Sequence, residues 1–176
     1  DALDEFDVRW VGDQVVELMI DTSGFMDGAK IANARTAASL LVGELTPGET
    51  AVGVGSFTSS ANQPFTITQI PDPDTGVRTD AQNEIAALTD GGGTDIEEAA
   101  LFALQETQNF SGDGAPVVYL LTDGRSSVNQ TKVIDAYDAA DVPLITFGFG
   151  SDVDLTLLRN LANQTGGIFV QSPTDL

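Results

Sequence analysis

The sequence predicts an α/β domain with a doubly wound, mostly parallel central sheet, one antiparallel edge strand and helices on both faces. Short apolar segments typical of buried strands alternate with segments whose apolar residues recur every three or four positions. Two of the apolar segments end in an acid, 15–20 before Asp21 and 117–122 before Asp123. A length of 176 residues, 41% of them hydrophobic, suits a single domain over residues 1–176.

The first part of the chain predicts one helix and, after the lead-in, three strands. The helix is indicated by apolar residues at helical spacing, with abundant alanine, and it ends at Pro47-Gly48. A turn over 59–62 separates the second and third of these strands, which predicts an antiparallel pair. The predicted elements are a lead-in over 1–12 with an edge strand around Val8, Trp10 and Val11, strands over 14–21, 51–58 and 66–70, and a helix over 28–45.

The second part of the chain predicts four helices and three strands. We interpret Asp95 as part of an acidic first helical turn, which the helix dipole favours, rather than as a metal ligand. The predicted elements are a loop over 71–76, helices over 79–89, 95–109, 130–140 and 153–163, and strands over 117–123, 143–149 and 167–171.

The charge of the chain excludes some classes of partner. With 27 acidic and 7 basic residues the net charge is −20, so the chain lacks the cations that bind nucleic acid or an anionic membrane. No apolar run approaches the roughly 20 residues of a membrane-spanning helix, so we expect no membrane insertion. The acidity fits two interpretations, adaptation to high salt or an ordinary acidic extracellular domain.

The chain contains no cysteine and no histidine. This excludes disulfides, thiolate metal sites, histidine ligands, and Ser-His-Asp or Cys-His catalysis within the sequence given. Any metal must therefore be held by oxygen ligands, which suit Mg²⁺, Ca²⁺ or Mn²⁺.

Three loop segments carry the polar residues of a candidate site. The first contains Asp21 and Ser23, the second follows a triple glycine at Thr94, and the third begins at Asp123. In order and spacing these segments resemble the metal-ion-dependent adhesion site of the von Willebrand factor type A (VWA) family, written Asp-x-Ser-x-Ser, then Thr, then Asp. The segments 6–16 and 158–167 are most similar to the VWA domains of the calcium-activated chloride channel regulator (CLCA) group.

The resemblance implies a Rossmann-like fold and a metal site at Asp21, Ser23, Thr94 and Asp123. It also implies that the hydroxyls bind Mg²⁺, or Mn²⁺ or Ca²⁺, directly, while the carboxylates act largely through water. A carboxylate from a partner protein then completes the coordination, as a hard anion on a hard cation. We therefore expect a non-enzymatic module for protein recognition or adhesion, outside the cell or at its surface.

Phe25 departs from the family motif, which has a serine at that position. One hydroxyl ligand is lost, and Mg²⁺ requires nearly octahedral oxygen coordination. If the ring points into the crevice it blocks the metal, and if it points outward it can serve as an aromatic anchor for a partner. The sequence leaves open a weakened metal site and a metal-free interaction or structural domain.

Enzymatic alternatives have little support in the sequence. Neither glycine-rich segment, 53–58 or 148–153, completes the Gly-x-Gly-x-x-Gly pattern of dinucleotide-binding enzymes. An aspartate-dependent phosphatase would use Asp21 as nucleophile and a second acid two residues later, where the chain has Ser23. We keep this reaction as a distant alternative.

Overall fold

The computed structural model describes residues 13–171. The strands are β1 (Gln14–Asp21), β2 (Thr50–Phe57), β3 (Ala61–Gln69), β4 (Ala115–Thr122), β5 (Leu144–Gly148) and β6 (Phe169–Gln171). The helices are α1 (Ala29–Glu44), α2 (Val77–Ala87), α3 (Ile96–Asn109), α4 (Gln130–Ala140) and α5 (Leu155–Gln164), with a short 3-10 helix at Gly24–Met26. Among these helices, none is both long and apolar enough to cross a membrane.

The strands form one sheet in the order β3-β2-β1-β4-β5-β6. Neighbouring strands are parallel except for the pair β2 and β3, so the antiparallel strand lies at an edge. This confirms the predicted fold class and the antiparallel pairing. Strand β1 lies at the centre, where both faces are covered, and all its residues from Val15 to Asp21 are buried.

The sheet has a separate core on each face, because side chains alternate along each strand. On one face Val16, Leu18 and Ile20 of β1 pack with residues of α1 and α2. On the other face Met19 packs with residues of α3, α4 and α5. Helices therefore cover both faces, as the alternation of strands and helices predicts.

The largest error in a predicted boundary is at the start of β3, and the predicted starts of α2, β4, α5 and β6 are each wrong by two residues. Strand β3 begins at Ala61 rather than at 66, so the predicted turn over 59–62 is shorter. Its first half is polar and contains Pro64, a pattern that an exposed edge strand tolerates but that gives no apolar signal. Helix α2 begins at Val77 rather than at 79, because the Asp74 carboxylate accepts hydrogen bonds from the N–H groups of Gly76, the N-cap, and Val77, the first residue of the helix. The lead-in over 1–12, with its predicted strand around Val8, Trp10 and Val11, lies outside the described residues.

Candidate functional site

The candidate site lies where the winding direction of the sheet reverses. From β1 the chain leads to β2 on one side, whereas β4 and then β5 lie on the other. In open α/β sheets, the crevice at the carboxyl ends of two such strands is the usual ligand site. Asp21 is the last residue of β1 and Asp123 follows the last residue of β4, so both acids lie at this crevice.

Hydrogen bonds hold the three loops together. The Gly24 N–H donates to the Gly92 carbonyl at 3.0 Å, which joins the first loop to the second. Gly92 has φ of +87°, a conformation that favours glycine. The Ser126 hydroxyl donates to the Thr94 carbonyl at 3.2 Å, which joins the second loop to the third. The structure therefore brings the loops that carry all four predicted site residues to one edge of the sheet.

Asp21 is completely buried, and both its carboxylate oxygens accept hydrogen bonds. The Ser23 N–H donates to Oδ1 at 2.8 Å, and the Thr122 hydroxyl donates to Oδ2 at 2.6 Å. Burial raises the pKa of Asp21 above its ordinary value and the nearby Asp123 raises it further, while the Thr122 and Ser23 hydrogen bonds act in the opposite direction. A positive charge at this edge would therefore stabilise the ionised carboxylate.

The two hydroxyls of the predicted site are buried and lack partners. Neither Ser23 Oγ nor Thr94 Oγ1 has a hydrogen-bond partner within residues 13–171. A buried hydroxyl without a partner costs free energy, so most such groups bind something. Across the same residues, no three carboxylates gather into a site that could hold a metal. The donor set at this edge is thus two hydroxyls and two carboxylates, which is a hard-oxygen set of low charge.

The ring of Phe25 lies at the surface of the site. The 3-10 helix Gly24–Met26 buries Met26 completely in the core and leaves Phe25 49% exposed. The Arg125 guanidinium carbon lies 4.9 Å from the centre of the Phe25 ring, within the range of a cation–π contact. Of the two orientations that the sequence allows, the structure has the outward one.

Asp123 is also completely buried, and it contacts a cation from α1. Its Oδ2 accepts a hydrogen bond from Lys30 Nζ at 3.0 Å, and its Oδ1 accepts from the Arg125 N–H at 3.1 Å. Lys30 Nζ also lies 2.9 Å from Oδ1 of Asp152, which forms a second ion pair with Arg125. The hydrogen bond from Lys30 lowers the pKa of the Asp152 carboxyl.

Four residues of this region were not predicted from the sequence: Thr122, Lys30, Arg125 and Asp152. Thr122 had a usable signal, since it directly precedes Asp123 at the end of a predicted strand. The other three come together only through the fold. Asp95, interpreted from sequence as part of a helix start, is the N-cap of α3, where its side chain accepts from the Glu98 N–H at 2.9 Å.

Comparison with known sequences agrees with this architecture. The sequence profile of the von Willebrand factor type A domain matches residues 16–175. Inter-alpha-trypsin inhibitor heavy chain H2 of Mesocricetus auratus is 29% identical over 168 residues, which cover 85% of this chain and 17% of that protein. Heavy chain H4 of Homo sapiens is 28% identical over 165 residues, which cover 87% of this chain and 17% of that protein. The chain thus spans about a sixth of these relatives, and the resemblance to the CLCA group is not confirmed.

Comparison with solved structures supports the fold. A von Willebrand factor type A protein from Catenulispora acidiphila has a TM-score of 0.81 at 22% identity, covering 93% of this chain and 39% of that one. Proximal thread matrix protein 1 from the mussel byssus, solved with a zinc-occupied MIDAS motif, has a TM-score of 0.69 at 19% identity, covering 93% and 42%. These likenesses agree with the fold, and the profile match over residues 16–175 shows that the chain belongs to the von Willebrand factor type A domain family.

Proposed function

We propose that this domain recognises a partner protein through a divalent cation held at the carboxyl edge of β1 and β4. The observation that carries the proposal is the pair of buried hydroxyls, Ser23 Oγ and Thr94 Oγ1, that lack partners among the described residues. Ser23 and Thr94 would contact the ion directly, and Asp21 and Asp123 would bind it directly or through water. All four supply hard oxygen atoms, which favours Mg²⁺, Mn²⁺ or Ca²⁺ over softer metals.

The partner we propose offers an Asp or Glu side chain. A cation held by few protein charges stays strongly electrophilic, so it attracts an external carboxylate. The half-exposed Phe25 ring with Arg125 against it supplies an apolar and cationic surface beside the ion, and aromatic and arginine side chains are frequent anchors of protein interfaces. By resemblance to the family, we propose that this recognition occurs outside the cell or at its surface.

The surroundings of Asp21 argue against an enzymatic role. A nucleophilic aspartate must reach its substrate, whereas Asp21 is completely buried and both its oxygens accept hydrogen bonds. We therefore propose a non-enzymatic interaction module rather than a phosphatase.

Titration calorimetry of EDTA-stripped protein with Mg²⁺, Mn²⁺ and Ca²⁺ tests the metal site. We expect saturable binding of one ion by the parent and loss of binding in the Asp21→Asn and Ser23→Ala variants. Thr36→Val is the matched control, because Thr36 is a threonine of α1 whose hydroxyl already bonds the Ala32 carbonyl on an exposed surface. It should bind as the parent does.

The variant Phe25→Ser restores the hydroxyl that the family motif has. We expect it to bind the ion more tightly than the parent, because a third hydroxyl replaces a water ligand. If Phe25→Ser binds an ion and the parent does not, the natural chain is a metal-free interaction domain. If neither protein binds an ion, the metal site is contradicted altogether.

A further inference from the structure

Lys30 contacts a buried carboxylate of the candidate site. The side chain comes from the first turn of α1, and its ammonium lies 3.0 Å from Oδ2 of Asp123. The side chain of Asp123 is completely buried, whereas that of Lys30 is 19% exposed. A buried carboxylate is costly unless a cation or hydrogen-bond donors compensate it, so this ammonium supplies a charge that Asp123 needs.

The same ammonium has a second partner outside the crevice. Asp152, in the connection between β5 and α5, lies 2.9 Å from Lys30 Nζ through Oδ1 and pairs with Arg125 through Oδ2. Its side chain is 44% exposed. Lys30 therefore bridges an inner carboxylate and an outer one, and the outer one remains available when the inner one binds another cation.

We propose that Lys30 is a tethered cation that competes with the divalent ion for Asp123 and so sets the metal affinity of the site. The inference rests on the proposed metal site. Binding of the ion removes the ammonium from Asp123, and Asp152 retains it. Lys30 thus acts on the metal through Asp123 and is a positioning residue rather than a ligand.

Electrostatics gives the expected direction and size of the effect. The ammonium and the ion carry the same sign, and both are drawn to the oxygens of Asp123. At about 4 Å, even the dielectric constant of bulk water leaves a repulsion of a few RT between a single and a double charge. Removal of the Lys30 charge should therefore tighten metal binding by about tenfold or more.

The test compares metal affinities of EDTA-stripped variants by calorimetry with Mn²⁺ and Mg²⁺. Lys30→Gln removes the charge but keeps a donor, and Lys30→Arg keeps the charge. Lys132→Gln is the matched control, because it removes a lysine charge that pairs with Glu97 on the surface. We expect about tenfold tighter binding in Lys30→Gln alone, whereas Lys30→Arg and Lys132→Gln should stay within about twofold of the parent.

Thermal unfolding gives a readout that does not depend on heats of binding. In EDTA, Lys30→Gln should melt several degrees below the parent, because Asp123 loses its cation. Saturating Mg²⁺ should restore most of the difference, since the ion binds the folded state and supplies the missing charge. A deficit of the same size with and without Mg²⁺ would assign Lys30 a purely structural role and overturn the inference.

The variant Asp152→Asn provides a second test should Lys30→Gln fail to fold. Without Asp152 the ammonium has only Asp123, so we expect metal binding several-fold weaker than in the parent. Binding as tight as that of the parent would overturn the inference. Where Lys30→Gln does fold, a double-mutant cycle adds a control, because the change at Asp152 should matter less when Lys30 is already glutamine. An effect of equal size in both backgrounds would contradict this coupling.

The outcomes separate this inference from the proposed function. If the parent binds the ion and Lys30→Gln binds it equally or more weakly, competition is refuted and the metal site stands. If only Lys30→Gln binds, the competition is confirmed in its strongest form. If neither variant nor parent binds any of the ions, both the metal site and the competition are refuted.

Discussion

Strand β1 carries two carboxylates, Glu17 and Asp21, which are equally buried but differently surrounded. They are four residues apart, so they lie on the same face of the sheet, and neither is accessible to solvent. Asp21 ends the strand, where the Ser23 N–H of the following loop and the Thr122 hydroxyl at the end of β4 donate hydrogen bonds to its two oxygens. Glu17 lies in mid-strand, where only one of its two oxygens has a hydrogen-bond partner among the described residues.

Over the part of the chain that the structure describes, the residues around Glu17 leave space for its carboxyl group but supply no cation and only one hydrogen-bond donor to offset its charge. Gly53 lies beside it on β2, and the Gln63 amide of β3 donates to Oε2 at 3.0 Å. Oε1 has no hydrogen-bond partner within residues 13–171. Burial holds the pKa of Glu17 well above its usual range, with the Gln63 hydrogen bond acting against this and Glu106 adding to it.

The contrast teaches that burial of an acid does not by itself mark a functional site. The two carboxylates differ in their donors, because a strand end meets loops whose N–H and hydroxyl groups are not used by the sheet ladder. Such unused groups can also hold an ion or a ligand, whereas a mid-strand carboxyl group mainly reduces stability. Changes at each carboxylate should therefore have different consequences.

The largest effect should follow from filling the space beside Glu17. A methyl group at Gly53 would overlap the Glu17 carboxylate and approach Ile67 and Gln63, all within a packed sheet. We expect Gly53→Ala to destabilise the fold by about 3 kcal/mol in urea denaturation, at the upper end of overpacking effects. The control Gly43→Ala, where the nearest atom is 3.6 Å from the new methyl, should be neutral or slightly stabilising.

A double variant shows whether the carboxylate causes this loss. In the Glu17→Ala background the methyl group at Gly53 has more room, so the two changes together should cost less than their sum. Additive losses would mean that Ile67 and the strand backbone, rather than Glu17, require glycine at this position.

The next effect concerns the charge of Glu17. Because its pKa is raised in the folded state, folding keeps a proton that the unfolded chain releases above about pH 4.3. The stability supplied by the protonated form is therefore full below that pH and is lost as pH rises toward the folded pKa, by up to about 1.4 kcal/mol per pH unit.

Glu17→Gln should remove this dependence. The variant amide can still accept from Gln63 but cannot ionise, so we expect it to exceed the parent in stability by about 2 kcal/mol at pH 8 and to match it near pH 4. Urea denaturation in EDTA at four pH values measures the difference, and Mg²⁺ affinity should not change. A constant difference across pH would contradict a raised pKa at Glu17.

The residues at the edge of the site were easier to predict from the sequence than the buried contacts, because only the former belong to short local motifs. Asp21, Ser23, Thr94 and Asp123 belong to local motifs, so their type and spacing could be read directly. Asp21, Ser23 and Asp123 meet at one edge because β1 and β4 are parallel neighbours, whereas Thr94 lies in the loop between α2 and α3 that Gly92 joins to the first loop. Whether they bind a metal remains a prediction.

The contacts around those residues depend on pairs that are far apart in the chain. Lys30 and Asp123 are separated by 93 positions, and no local pattern joins them. The sequence predicts a buried strand around Glu17 but not the surroundings of its carboxyl group. Gly53 was the available indication, because its missing side chain leaves room for a large neighbouring group. The start of β3 was not predicted because it is polar, and an edge strand needs no continuous apolar face.

The smallest effect on stability should come from removing a hydrogen-bond donor from Asp21, which leaves one carboxylate oxygen without a partner, as in Glu17. In Thr122→Val, Asp21 loses the hydroxyl that donates to Oδ2 at 2.6 Å, and the Gly124 N–H loses its acceptor at 3.0 Å. We expect a loss of about 1 kcal/mol in urea denaturation. Metal binding should weaken several-fold in calorimetry, because the carboxylate is no longer fixed at the edge of the crevice.

A buried threonine on the neighbouring strand separates the two parts of this prediction. The hydroxyl of Thr146, on β5, donates to the Leu158 carbonyl at 2.9 Å and does not contact Asp21. Thr146→Val should therefore cost similar stability while leaving metal affinity at the parent value. If both variants bind the ion as the parent does, orientation of Asp21 by Thr122 does not matter for the site. In that case the hydroxyls of Ser23 and Thr94, rather than the hydrogen bonds donated to Asp21, would distinguish the site from the surroundings of Glu17.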